Sequence, residues 1–121
     1  MTRWLAVAAA VTLSACRTPS APGAADTGNV ALSGCAACHS LSADGARRSG
    51  PALSGIVGRR AGALPDYAYS PALKASGITW SPQTLDGFLA DPGKVIPGTR
   101  MMTRVPDPAQ RKRIVDALTA Q

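Results

Sequence analysis

The run Cys35-Ala36-Ala37-Cys38-His39 holds the residues of this chain best suited to chemistry. Two thiols three positions apart leave one side of a backbone turn, so each can add across one vinyl group of a haem. The imidazole that follows, His39, is then placed to meet the iron. A Cys-x-x-Cys-His run is the attachment signal for c-type haem. The spacing therefore predicts one covalent haem c, held by Cys35 and Cys38, with His39 as a metal ligand. A bare Cys-x-x-Cys pair also serves thiol–disulfide exchange or half of a zinc site. Exchange of the thioredoxin kind asks for a βαβ context, and no Val/Ile-rich strand pattern flanks the motif. A structural zinc asks for four ligands. The chain has three Cys and one His, and one Cys is needed elsewhere.

That Cys is Cys16. Arg3 sits in a short N-terminal region, and Leu5 to Leu13 form a nine-residue apolar run. Such a run is too short to span a bilayer and suits the apolar part of a signal peptide. Leu13-Ser14-Ala15-Cys16 follows, which resembles the bacterial lipobox, where a lipidated Cys becomes the new N-terminus. The plainer reading is a secretory signal with a spare thiol, but a free thiol is a liability in an oxidising compartment. The expected organisation is a lipoprotein signal peptide over 1–15, a flexible tether over 16–27 rich in Pro, Gly and Ala, and one domain over 28–121. The product is expected outside the cytoplasm, on the periplasmic side, anchored to a membrane through lipidated Cys16. A folded part of this size is small for a purely protein core, so the haem is expected to complete it.

The elements that must position the motif read as short helices between Gly/Pro-rich loops. The first is expected to start near Asp26 or Thr27 and run into Cys35, with Val30, Ala31 and Leu32 apolar. Ser70-Pro71 marks a cap followed by Pro at the first helical position, and Gly77 a stop. Ser81-Pro82 repeats the start signal, and Leu85, Phe88 and Leu89 then share one face at helical spacing. Asp91-Pro92 ends that helix. Asp107-Pro108 starts the last one, with Gln110 in capping-box position and Ile114, Val115 and Leu118 as its apolar stripe. With no convincing strand, the fold class is all-α, wrapped on a cofactor.

Four ordered segments carry a family resemblance: Cys35–His39, Gly50–Gly62, Gly77-Ile78-Thr79-Trp80, and Ile96-Pro97-Gly98-Thr99-Arg100-Met101. The chain resembles a class I cytochrome c of the mitochondrial and bacterial c2 type over roughly residues 28–119. A sixth iron ligand has to be His, Met, Lys or a terminal amine. His39 is the only His, and beyond the leader Met101 and Met102 are the only thioethers. The resemblance favours Met101, which follows Pro-Gly-Thr-basic as the family's ligand does, and His/Met ligation is the cytochrome c pattern. It further implies that the Pro51 carbonyl accepts the His39 Nδ1–H. It sets Arg59, Tyr69 and Trp80 beside the haem propionates and Leu53, Leu85, Leu89 and Ile96 along its apolar faces. Phe88 stands where the family often has a Tyr bonded to the Met sulfur. Thr103 replaces an edge-covering aromatic, and Ala31 an aromatic of the first helix.

The resemblance implies a one-electron carrier and not an enzyme, since both axial positions would be filled. Two other readings are a haem subunit of a dehydrogenase or a peroxidase, and a Cys-x-x-Cys thiol–disulfide oxidoreductase. Thirteen basic residues face seven acidic ones, a net charge of +6. Lys74, Lys94, Arg100 and Arg104 would lie near the loop that presents the haem edge. Such a ring suits an acidic redox partner, for example a cytochrome complex, a terminal oxidase or a reaction centre. Basic charge alone would also suit nucleic acid, but nothing else points there.

Overall fold

A Ser or Asp followed by Pro opens each of the helices beyond residue 70. The computed structural model describes residues 30–46 and 48–121. Helix α1 spans Pro71–Ala75, α2 Pro82–Ala90, α3 Pro92–Val95 and α4 Pro108–Thr119. In each, Pro occupies the start, where its missing N–H costs nothing, and the preceding side chain accepts from the first turn. Ser70 Oγ takes the Leu73 amide at 3.2 Å. Ser81 Oγ takes the Thr84 amide at 3.2 Å while Thr84 Oγ1 takes the Ser81 amide at 2.7 Å, a reciprocal cap built on Thr. The Asp107 carboxylate accepts from both Ala109 and Gln110 at 3.1 and 3.2 Å. The reciprocal bond, from the Asp107 amide to the Gln110 side chain, is not formed among the described residues.

Asp91 does more than end α2. It also caps α3, its Oδ1 accepting from the Lys94 amide at 3.1 Å. This four-residue helix was not expected, since it is too short to show an apolar period. The first segment differs too. Its helix reaches Val30 and Ala31, and the chain then continues in turns through His39. Amides there alternate between three- and four-residue bonds: Cys35 to Leu32, Ala36 to Leu32, Cys38 to Cys35 and His39 to Cys35. Gly34 lies inside this stretch, and glycine disfavours regular helix. The leader, the tether, Cys16 and the helix start near Asp26 or Thr27 lie outside the described residues.

The apolar stripes anticipated for α2 and α4 are the buried ones: Leu85, Phe88 and Leu89 against Ile114, Val115 and Leu118. The two helices pack on each other, and α3 folds back on α2. Leu32 of the first segment joins them in the core. The architecture of the described residues is all-α, as expected. The one extended pairing among the described residues is an antiparallel bridge between Arg60 and Thr79. Flanking bonds from Ala61 N to Ile78 O (2.8 Å) and Trp80 N to Arg59 O (2.9 Å) fix the backbone on either side. That bridge holds Trp80 against Phe88, rings edge to face with centroids 5.1 Å apart. Among the described residues, no helix is long and apolar enough to cross a membrane.

Candidate functional site

The turns after Ala31 bring Cys35, Cys38 and His39 to one end of a cavity of about 1130 Å³. That is slightly above the ~300–1,000 Å³ usual for small-molecule pockets. Cys35 is half-buried and Cys38 exposed, and the two are not joined in a disulfide. Burial pushes the Cys35 thiol up. A thiol–disulfide nucleophile needs the opposite, a depressed value that supplies thiolate. Among the described residues, no three His, Cys, Asp or Glu side chains cluster as a structural zinc would require. The zinc alternative has no support there.

His39 is oriented from two sides. Its Nδ1 lies 2.7 Å from the Pro51 carbonyl oxygen, so Nδ1 carries the proton and donates. Nε2 is then left as the lone-pair nitrogen, the form that binds a metal. The ring also lies flat against Gly50. A Cβ there would come within 2.5 Å of Cε1 and 2.6 Å of Nδ1. Only glycine lets the backbone approach the imidazole this closely. The Gly50 amide in turn donates to Cys38 O at 2.7 Å, which ties the loop to the motif.

Met101 and Met102 both border the cavity but differ in exposure. Met101 is half-buried and packs on the core, with its amide on Thr99 Oγ1 at 3.3 Å. Met102 is 81% exposed. Gly98, at φ +93°, turns the chain just before this segment.

The other sequence-predicted residues gather at the same cavity. Pro51, Arg59, Tyr69 and Trp80 line it, as do Leu53, Leu85 and Leu89. Ile96 does not: it is buried in the core at the end of α3, behind the wall. The Arg59 guanidinium is held by the Ser54 and Ala52 carbonyls, which uses two of its five N–H donors. Burial pushes the Tyr69 phenol up, partly offset by the Leu64 backbone and the Arg59 charge. Tyr67 also lines the cavity, though sequence reasoning passed over it. It stacks edge to face on Tyr69 at 4.8 Å, and its hydroxyl donates to Ser49 O at 2.6 Å. Its place two residues before Tyr69 was the available signal.

The anticipated basic ring is partly engaged. Arg104 pairs with Asp91 at 3.2 Å, and Arg100 donates to Ala68 O at 2.9 Å. Lys74 and Lys94 are exposed, with no ion pair among the described residues.

The residues present fit a covalent haem. Two thiols and an imidazole share one turn, the backbone beside the imidazole lacks a Cβ, and a half-buried thioether borders the same largely apolar space.

Comparison with known proteins agrees with this geometry. Over 80 residues, 66% of this chain and 73% of the relative, the sequence is 42% identical to cytochrome c-550 of Nitrobacter winogradskyi. Over 77 residues, 61% of this chain and 69% of the relative, it is 46% identical to cytochrome c2 of Agrobacterium tumefaciens. The solved structure of cytochrome cH from Methylobacterium extorquens superposes with a TM-score of 0.72 and 40% identity, covering 82% of this chain and 100% of that one. No family model matches the chain.

Proposed function

The chain belongs to the class I, c2-like cytochromes c, electron carriers with one covalent haem c. On that premise we propose that Cys35 and Cys38 hold the haem, His39 and Met101 ligate its iron, and Cys16 tethers the carrier to a membrane. As a member of this family the protein moves electrons and is not an enzyme. When bound, the haem supplies the one-electron Fe(II)/Fe(III) couple.

The observation that carries the ligand assignment is the meeting of His39 and Met101 at one cavity. Pro51 and Gly50 leave Nε2 of His39 as its metal-binding nitrogen. The half-burial of Met101, against 81% exposure of Met102, favours Met101. Arg59 keeps N–H donors for a propionate, and Tyr69 and Trp80 exclude water beside it. An iron ligated on both sides by this chain is closed to outside molecules. Purified ferrous protein is expected not to take up carbon monoxide, and Met101→Ala is expected to take it up readily. Uptake by the unaltered protein would overturn the reading and point to a peroxidase-like open site.

The placement of the carrier rests on the sequence alone. Residues 1–15 act as a signal peptide, and lipidated Cys16 carries the 28–121 domain on a 12-residue tether, with a reach of at most about 40 Å. The protein then works on the periplasmic side. Cys16→Ser is expected to release it from membranes into the aqueous fraction. If unaltered protein is already aqueous, there is no anchor. With Arg3 lost in the signal peptide, 12 basic residues face 7 acidic ones, a net charge of +5 that supports acidic partners, such as a cytochrome complex, a terminal oxidase or a reaction centre. Electron transfer to them is expected to slow as salt rises.

A further inference from the structure

The stretch that carries Met101 is held at its two ends. On entry, the Thr99 amide donates to Ile96 O at 3.0 Å and the Arg100 guanidinium to Ala68 O at 2.9 Å. From Met102 to Arg104 no backbone hydrogen bond is donated among the described residues. Arg104 meets Asp91, but 62% of its side chain is exposed, and exposed pairs add little. Phe88 has no hydroxyl to offer the thioether from α2. The firmness of the stretch therefore depends on its exit, at Val105 and Pro106.

That exit is fastened by one side chain. The Val105 amide donates to Leu89 O at 2.8 Å. Arg111, on the first turns of α4, donates through one terminal nitrogen to both Val105 O and Pro106 O at 2.9 Å. Its Nε donates to Asp86 Oδ1 on α2 at 2.8 Å. The Arg111 side chain is only 14% exposed, so these charge-assisted bonds are partly shielded from water and of the stronger kind. Asp86 adjoins Leu85, and Phe88 and Leu89 follow on the same helix, so Arg111 links the exit to the helix that walls the cavity. Lysine could not replace this fork, since it has no Nε–H and no planar pair of donors.

We propose that Arg111, braced by Asp86, is a positioning residue for Met101, setting how readily the loop releases its thioether. This rests on Met101 being the iron ligand. The test measures the affinity of exogenous imidazole for the ferric haem protein, together with the sulfur-to-iron charge-transfer band, in Arg111→Ala, Arg111→Lys and Asp86→Asn. Val115→Ala, in the core face of the same helix, controls for simple loss of stability, and Met101→Ala for the ligand itself. Imidazole should bind roughly tenfold more tightly to Arg111→Ala, the effect of about 1.4 kcal/mol, with Arg111→Lys and Asp86→Asn showing smaller gains. Val115→Ala should melt lower yet bind imidazole as the unaltered protein does. If the Arg111 and Asp86 variants track Val115→Ala, the positioning role is wrong while Met101 stands as ligand. If Met101→Ala leaves both band and affinity unchanged, the ligand assignment itself fails, and the positioning role with it.

Discussion

Gly50 shows what a single residue contributes that its letter does not announce. The motif around His39 was legible because thiol, thiol and imidazole spacing follows from the chemistry of haem attachment. Pro51, Arg59, Tyr69, Trp80 and Met101 could be nominated because ordered segments at matched spacing resemble a family. No such signal says that a Cβ at position 50 would strike the imidazole at 2.5 Å, since that contact joins separate loops. Gly50→Ala is expected to push the ring off the Pro51 carbonyl. Haem should still attach through Cys35 and Cys38, but the reduction potential should shift and the protein should melt lower. An unchanged potential would mean that the loop yields and the ring does not. Ile96 was misread for a related reason: burial is visible in sequence, but which side of a wall a buried residue faces is not.

At the scale of elements, caps were more legible than periods. Ser70-Pro71, Ser81-Pro82 and Asp107-Pro108 each begin a helix because Pro tolerates the first position and the preceding oxygen satisfies an orphan amide. Asp91-Pro92 carried the same signal and was read only as a stop, because four residues cannot display an amphipathic pattern. The first helix stops short of the motif, at Ala31 rather than Cys35. The Arg60–Thr79 bridge was invisible for want of any alternating pattern. Ser81→Ala removes one acceptor of a reciprocal cap at the head of the helix that walls the cavity. It should cost about 1 kcal/mol, read as a lower denaturant midpoint at unchanged slope. Thr84→Ala should cost a similar amount, and the double variant less than the sum, since the two bonds form one unit. Strict additivity would show that the two caps act independently.

At the scale of the molecule, the described residues pack a small core beside a cavity of about 1130 Å³. Leu53, Leu85 and Leu89 belong to the core and also line that space, so part of the buried area that stabilises a domain of this size is shared with the cofactor. The chain without haem is expected to melt broadly, with little cooperative heat uptake, and the haem protein sharply. A sharp melt independent of haem would show that the α2 and α4 contact suffices alone. Charge belongs to this scale as well: composition gave a basic molecule, but the ties of Arg100 and Arg104 within the fold leave Lys74 and Lys94 as the more available cations. Lys74→Glu or Lys94→Glu alone should therefore slow electron transfer to an acidic partner at low salt more than Arg104→Glu does.

The central claim is that one iron is gripped by His39 on one side and Met101 on the other. The charge-transfer band between sulfur and ferric iron reports that grip directly. It should be present in the unaltered protein, absent in Met101→Ala and retained in Met102→Ala. A band that survives in Met101→Ala and vanishes in Met102→Ala would contradict the account.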